Sequence, residues 1–494
     1  MSHAKTTAPD FDVIISGAGP SGLILAIDLG QRGVRVLVLE KNPSTSPFPK
    51  MERTNPRSME IFRRLGLAND IRAVGYPDDA SMDVHIVNSL NESILRLPYP
   101  SIAKQRAAIA AERHGQLPLE PNLLVSQYDL EPVLARRAQA LDSVTLLFSH
   151  EVTRFSQGEE SVSVSVSSEA GERTYTGRFF VGCDGGASPT RKALGIGLKG
   201  RGGIQHKSQV QFRAPDLYER VPVGKGRHFY FTDGTIIVTQ GNRIDFTLHT
   251  NLTGDEPDYE SEIRAHLPAG TEFEVVCRNE WTLHLLVADR YRQGRVFIAG
   301  DAAHLVIPTG GLGMNTGVGD VIDLGWKLAA YLRGWGGEAL LDSYEYERRR
   351  VGAYNVAASG WAAEGLRIWP SEVGPHIKSP GEAGEKARAL VREVADIYQR
   401  RVHEMVGAEL GYNYVGSPVI VTEPGPEPGW DVRHYIPSAS PGCRLPHMWL
   451  KDGSAIFDNL GPWFTVLVLG SSVDASGLIA EATRRRVPVE LKTF

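Results

Sequence analysis

Val13-Ile14-Ile15, followed by Gly17-Ala18-Gly19-Pro20-Ser21-Gly22, decides the fold when read with what flanks it. The apolar triplet makes a short buried strand, and the glycines open a helical segment that runs to about Gln31. A second apolar run, Val34 to Leu39, stops at Glu40, with Lys41 next. Strand, glycine turn, helix, strand and acid in this order form a βαβ unit. Gly17, Gly19 and Gly22 permit a tight turn, backbone approach to a pyrophosphate and close helix packing, and Pro20 and Ser21 start the helix that faces the phosphates. Glu40 stands where an acid accepts the ribose hydroxyls of an adenosine. A plain strand-to-helix turn is the competing reading, and the flanking pattern favours a dinucleotide. FAD and NAD both stay open at this point.

Outward from that unit, 494 residues with 42% apolar content suffice for two or three domains around a large core. A net charge of -5 provides no basic field, so small molecules are the expected partners, with no nucleic acid and no membrane. Cys183, Cys277 and Cys443 lie far apart with no C-x-x-C, which excludes a disulfide framework and gives no metal site. The polar head from Met1 to Asp10 lacks the apolar run of a secretion signal, and Phe464 to Leu469 is far short of a membrane span. The expected location is cytoplasmic, with reduced thiols.

Two later turns narrow the cofactor. Gly300-Asp301-Ala302-Ala303-His304 leaves the buried run Val296 to Ala299, and Pro308, Gly310, Gly311, Gly313, Met314 and Asn315 precede a helix with Val321, Leu324 and Leu328 at helical spacing. An Asp at a strand end can bond a ribityl hydroxyl, and a glycine-rich stretch before a helix brings backbone amides to a flavin ring. A second strand-Gly-Asp site this far downstream is foreign to a simple dehydrogenase, which favours FAD. His304 reads as structural. The third turn, Cys183-Asp184-Gly185-Gly186-Ala187-Ser188-Pro189-Thr190-Arg191, sets an acid and a flexible turn after the buried run from Phe179. An Asp-Gly alone is usually only a turn.

In this order and at these separations, the three turns resemble the flavoprotein aromatic hydroxylases of the p-hydroxybenzoate hydroxylase family over nearly the whole chain. Asn55 to Gly66 is similar to the family segment after the second strand, and Ser126 to Glu131 to its flavin-contacting helix start. The resemblance implies one extended FAD held by the three turns, with Lys50, Arg57 and Gln127 as further cofactor ligands. NADPH or NADH would be a transient co-substrate. Dioxygen would then give a flavin C4a-hydroperoxide that hydroxylates a small phenolic or similarly electron-rich ring. Lys50 departs from the family, taking the place of an arginine that commonly touches the flavin or the reductant. In phenol hydroxylase-like members an Asp of this loop assists phenol deprotonation, and Glu52 occupies its place as a candidate general base. Tyr230 is the second candidate catalytic residue, with His228 and His249 as further phenol contacts.

The implied fold class is α/β. A Rossmann-like FAD-binding domain (residues 10–75, 109–198 and 281–400) is interleaved with a mostly antiparallel β-sheet substrate domain (76–108 and 199–280). Beyond a proline- and glycine-rich linker, Pro441 to Leu450 resembles the entry to the thioredoxin-like domain of phenol hydroxylase, giving a small C-terminal domain over 425–494. Lacking C-x-x-C, it is expected to serve packing or homodimer formation, and it stops at Phe494 short of a further strand pair and helix. Two alternatives share the flavin motifs: a monooxygenase acting on a larger polyketide or antibiotic, Baeyer–Villiger insertion included, and a non-catalytic flavoprotein redox sensor. A halogenase is disfavoured by the absence of a Trp-x-Trp-x-Ile-Pro segment.

Overall fold

The computed structural model describes residues 8–252, 257–470 and 473–494, so the first seven residues of the polar head lie outside the described residues. The chain opens with β1 (Phe11–Ser16), α1 (Pro20–Gln31) and β2 (Val36–Leu39), and later supplies β3 (Gly171–Gly182), β4 (Val296–Ile298), α2 (Leu312–Leu332) and α3 (Glu338–Ile368). β4, β3, β1, β2 and the strand Val144–Leu147 pair in that order, all parallel. The near-continuous apolar character of Val13–Ile15 and Val36–Leu39 follows from burial on both faces of such a sheet. On one face α1, which is buried from Gly22 to Gly30, packs against α2. The architecture is α/β, with parallel and antiparallel sheets in one chain.

A second sheet of seven strands runs Glu274–Thr282, His206–Arg213, Asp245–Thr250, Ile236–Thr239, His228–Phe231, Val84–Ser89, Glu92–Leu97. Its pairings are antiparallel apart from His228–Phe231 against Val84–Ser89, which is parallel. Segments distant in sequence thus share one sheet, because β-pairing needs only matched edges and a closed loop. The helices Gly381–Tyr398 and Arg400–His403 lie against its far end, where Trp369, Val391 and Ala395 pack on Val84, Ile86 and Tyr230.

Near the C-terminus, Phe464–Val468 and Val489–Thr493 pair in parallel around the helix Ser476–Arg484. This small βαβ unit docks on the first domain through Trp463 and Phe464, which meet Trp335 edge-on at 5.3 and 6.0 Å. The three cysteines are free thiols. No described helix is long and apolar enough to cross a membrane.

Candidate functional site

The carboxyl ends of β1, β3 and β4 bring the three turns to one cleft of about 1610 Å³ that continues onto the face of the second sheet. Gly17, Gly19, Pro20, Ser21, Glu40, Lys41, Lys50, Gln127, Asp184, Gly185, Asp301, Pro308, Gly311, Gly313 and Met314 all line it, as do Glu52 and Tyr230.

The first turn is too tight for side chains at Gly17 and Gly22. A Cβ on Gly22 would stand 2.0 Å from the Gly17 carbonyl oxygen, so only glycine lets α1 start this close to β1. The N-terminus of α1 consequently points its free amides into the cleft, a ready anion site. Glu40 Oε2 accepts from the Ala18 amide at 2.8 Å and Oε1 from the Asn42 amide at 2.9 Å, which ties the end of β2 to the glycine turn.

At the second turn Asp301 opens into the cleft, and enclosure by the surrounding protein pushes its carboxyl above the ordinary range. Gly300 carries φ +63°, and its amide donates to Asp320 Oδ2 at 3.1 Å. Asp320 is wholly buried on α2. Its Oδ2 also accepts from His304 Nε2 at 2.7 Å, and its Oδ1 accepts from Arg348 Nε of α3 at 2.8 Å. Burial pushes Asp320 up, but His304 and Arg348 outweigh it and hold the carboxyl below its ordinary range. His304 is thereby a structural partner behind the turn.

The third turn uses its acid inward. Asp184 Oδ1 accepts from Ser188 Oγ, and Oδ2 from the Thr190 amide at 2.9 Å and hydroxyl at 2.6 Å, so the carboxylate braces the start of the short helix Pro189–Ala193 that Ser188 caps. Asn315 lies behind the wall: Nδ2 donates to the Arg53 carbonyl at 3.0 Å, and Oδ1 accepts from the Asn55 amide at 2.9 Å. The structure does not bring Arg57 to the cleft. The helix Pro56–Arg64 starts at the Asn55 cap, and the Arg57 side chain leaves on its other side toward buried Glu60, 3.3 Å away.

At the second-sheet end, His228 Nε2 meets Glu52 Oε1 at 2.8 Å, the two residues being 176 apart in sequence. Glu52 keeps about a third of its side chain (32%) open to the cleft. Burial pushes its carboxyl up, yet His228, then His249 and Arg227, outweigh burial and hold it below the ordinary range. Burial holds the His249 pKa down at about 4. Tyr230 Oη and His403 Nε2 are 3.5 Å apart, with Gln399 Nε2 3.2 Å from the same imidazole nitrogen. Burial, then the charge of Glu52, pushes the Tyr230 hydroxyl above its ordinary range, and burial with Arg227 and His228 holds His403 well below its own. Glu52 is thus set among the rings of His228, Tyr230, His249 and His403 along this wall.

Sequence reasoning overlooked Arg53, Arg227, Trp281, Trp361 and His403, all in the cleft wall. Arg53 stands within the loop already singled out, where it donates to the Gly310 carbonyl at 3.3 Å and pairs with Glu409. His403 sits in a helical stretch with no motif around it.

The residues fit FAD. A phosphate-binding helix start, an acid at the end of the second strand, Asp301 beyond β4, and the start of α2 beyond a left-handed Gly311 meet along one continuous cleft. Fold and site together define an FAD-dependent monooxygenase. The FAD binding domain family model matches residues 10–359, and the chain belongs to that family. It is similar to FAD-dependent monooxygenase apdD of Emericella nidulans, with 33% identity over 97% of this chain and 82% of the relative. Aklavinone 12-hydroxylase DnrF of Streptomyces peucetius is 34% identical over 91% of this chain and 88% of its own length. Among solved structures, RebC soaked with chromopyrrolic acid and carrying 7-carboxy-K252c superposes with a TM-score of 0.89 at 34% identity, covering 98% of this chain and 91% of that one. The chain is an oxidoreductase enzyme with FAD as its cofactor.

Proposed function

We propose that this monooxygenase hydroxylates an electron-rich phenolic ring within a fused polycyclic substrate, at the expense of NADPH or NADH and dioxygen. The observation that carries the reading is the Glu52–His228 pair on the floor of a cleft that runs on from the cofactor turns. At about 1610 Å³ the cleft exceeds the roughly 300–1,000 Å³ of ordinary small-molecule pockets, which suits a dinucleotide with a substrate larger than one ring beyond it. The relative named for aklavinone hydroxylation supports the same class of chemistry.

FAD, when bound and reduced, supplies the activated oxygen. The chain's own residues supply the rest. Glu52, held ionised, accepts the phenol proton into a hydrogen bond through the oxygen that His228 leaves free, and the ring gains phenolate character. His228 holds that carboxylate in place. Trp281 and Trp361 give flat apolar walls for the ring system and keep water from it. Lys50 and Arg53, which line the same cleft, are the cations this reading assigns to the reductant.

The test is a panel of phenols, naphthols and hydroxyanthraquinones supplied with NADPH or NADH under labelled dioxygen. The expected result is label in the product for fused-ring substrates, with Glu52→Gln lowering turnover about 100-fold. Reductant consumption with no labelled product from any member would refute the reading.

A further inference from the structure

The strand Val489–Thr493 forms one side of the small C-terminal sheet, and no strand lies beyond it among the described residues. Its inner side is set by the Phe464 amide, which donates to the Pro488 carbonyl at 3.4 Å, and by the Phe494 amide, which donates to the Val468 carbonyl at 3.0 Å. Backbone groups alternate in direction along a strand, so those of Val489, Leu491 and Thr493 point away from the sheet as an open edge. Side chains alternate as well: Val489, Leu491 and Thr493 share the face of Phe464 and Val466, while Glu490 and Lys492 take the other. Glu490, Leu491 and Thr493 are exposed, and the Glu490–Lys492 contact within the strand is a loose 3.6 Å. Among the described residues, Phe464, Leu469, Val473, Leu478, Leu491 and Phe494 make up six of the fourteen exposed large hydrophobics, so this unit carries the surface most in need of cover. A sheet of two strands is also marginal by itself, and further strands are what make one stable.

We infer that this edge is a homodimer interface, on which a second copy of the chain adds its own Val489–Thr493 strand, antiparallel, about a twofold axis at Leu491. The outward backbone groups allow pairing only in steps of two residues. Slipped one step either way, Glu490 faces Glu490 or Lys492 faces Lys492, and like charges directly opposite are destabilising. With Leu491 opposite Leu491, Glu490 of each copy faces Lys492 of the other, in the closely spaced pairs where side chains approach most nearly. Val489 then exchanges backbone hydrogen bonds with Thr493 of the second copy. The two small sheets become one, and the strand is self-complementary as a twofold contact requires. The patch is small, so the association depends on concentration and is not obligate.

The test is sedimentation of the FAD-loaded chain over a dilution series. A concentration-dependent dimer is expected, weakened at least about tenfold by Lys492→Glu and by Glu490→Lys, each of which sets like charges face to face across the axis. The double swap E490K/K492E restores opposite charges and is expected to recover the dimer, a rescue that damage to the fold does not produce. Leu491→Cys is expected to give a disulfide-linked dimer when diamide is the oxidant, because antiparallel neighbours about 5.5 Å apart at Cα suit that bond. The parent, with its three free thiols, is the control and is expected to stay unlinked. A parent that is monomeric at every concentration would overturn the proposal. So would a dimer indifferent to both single swaps, or one that Leu491→Cys fails to link, since either places the contact elsewhere.

Discussion

Asp320→Asn removes one charge and one acceptor at the point where the Gly300–Asp301 turn is held from behind. In the parent, Asp320 accepts from three donors: His304 Nε2 at 2.7 Å, the Gly300 amide at 3.1 Å and Arg348 Nε at 2.8 Å. An asparagine has one acceptor oxygen. Whichever way its amide turns, its NH2 faces a donor, and Arg348 loses its buried counter-charge. Breaking such a pair costs about 3–5 kcal/mol. Arg348 keeps the Tyr414 hydroxyl at 2.9 Å and the Thr316 carbonyl at 3.1 Å, which places the expected loss near the lower end, about 3 kcal/mol. That is on the order of a hundredfold in the folding equilibrium. Urea unfolding of the apo-protein by far-UV circular dichroism measures it, and flavin fluorescence during dialysis measures how fast FAD leaves. The sign with pH is fixed as well. A carboxyl depressed in the folded state stabilises above its unfolded pKa and loses that contribution as pH falls through the folded value, so the gap between parent and variant narrows below about pH 4. A variant within 1 kcal/mol of the parent that also retains its flavin would refute the reasoning.

Gly22→Ala forces a Cβ to within 2.0 Å of the Gly17 carbonyl oxygen, so α1 must shift; largely colourless protein at near-parental secondary structure is expected on purification, and full flavin absorbance would count against the turn's role. Asp301→Ala removes the carboxylate that opens into the cleft and is expected to lower FAD affinity at least about tenfold in an apo-protein titration, without the Asp320-type loss of folding stability. His228→Gln leaves burial of Glu52 unopposed by the partner that offsets it, so the Glu52 pKa rises and the acid limb of the substrate-dependent rate profile moves to higher pH; an unmoved limb would separate the two residues. Lys327→Met strands Asp323 and Glu347, which its ammonium bridges in the core, and is expected to destabilise by about 3–5 kcal/mol at neutral pH with partial recovery in acid, where one carboxyl takes a proton.

The βαβ start and the later Asp-bearing turns were legible because each is local: a strand, a turn chemistry and a helix start occupy a dozen residues, and their periodicities survive in one dimension. Glu40 and Asp301 fall at strand ends for the same reason. The substrate wall was less legible. His228 reaches Glu52 across 176 residues, and the parallel pairing of His228–Phe231 with Val84–Ser89 that positions it leaves no spacing signature. Arg57 shows the converse. It belongs to a segment that resembles the family, yet the side chain turns to buried Glu60, which also pairs with Arg444 far along the chain. Arg227 was invisible in sequence because what marks it, a buried guanidinium lining the cleft with no ion pair among the described residues, exists only in the fold.

Helix α3 carries Arg348 behind the cofactor turn and Trp361 in the cleft wall, and Ser359 Oγ between them donates to the Ile307 carbonyl at 2.8 Å. Thirteen residues at about 1.5 Å each set a span of roughly 20 Å along one rigid rod. The helix therefore works as a gauge, in which the distance from the Gly300–Asp301 turn to the cleft wall at Trp361 is fixed by backbone rise. Inserting a single residue between the two marks would swing Trp361 by about 100° off the pocket while leaving the hub at Arg348 in register. Reach in this enzyme is thus governed by helical phase, and lineages that altered it would have had to add or delete whole turns.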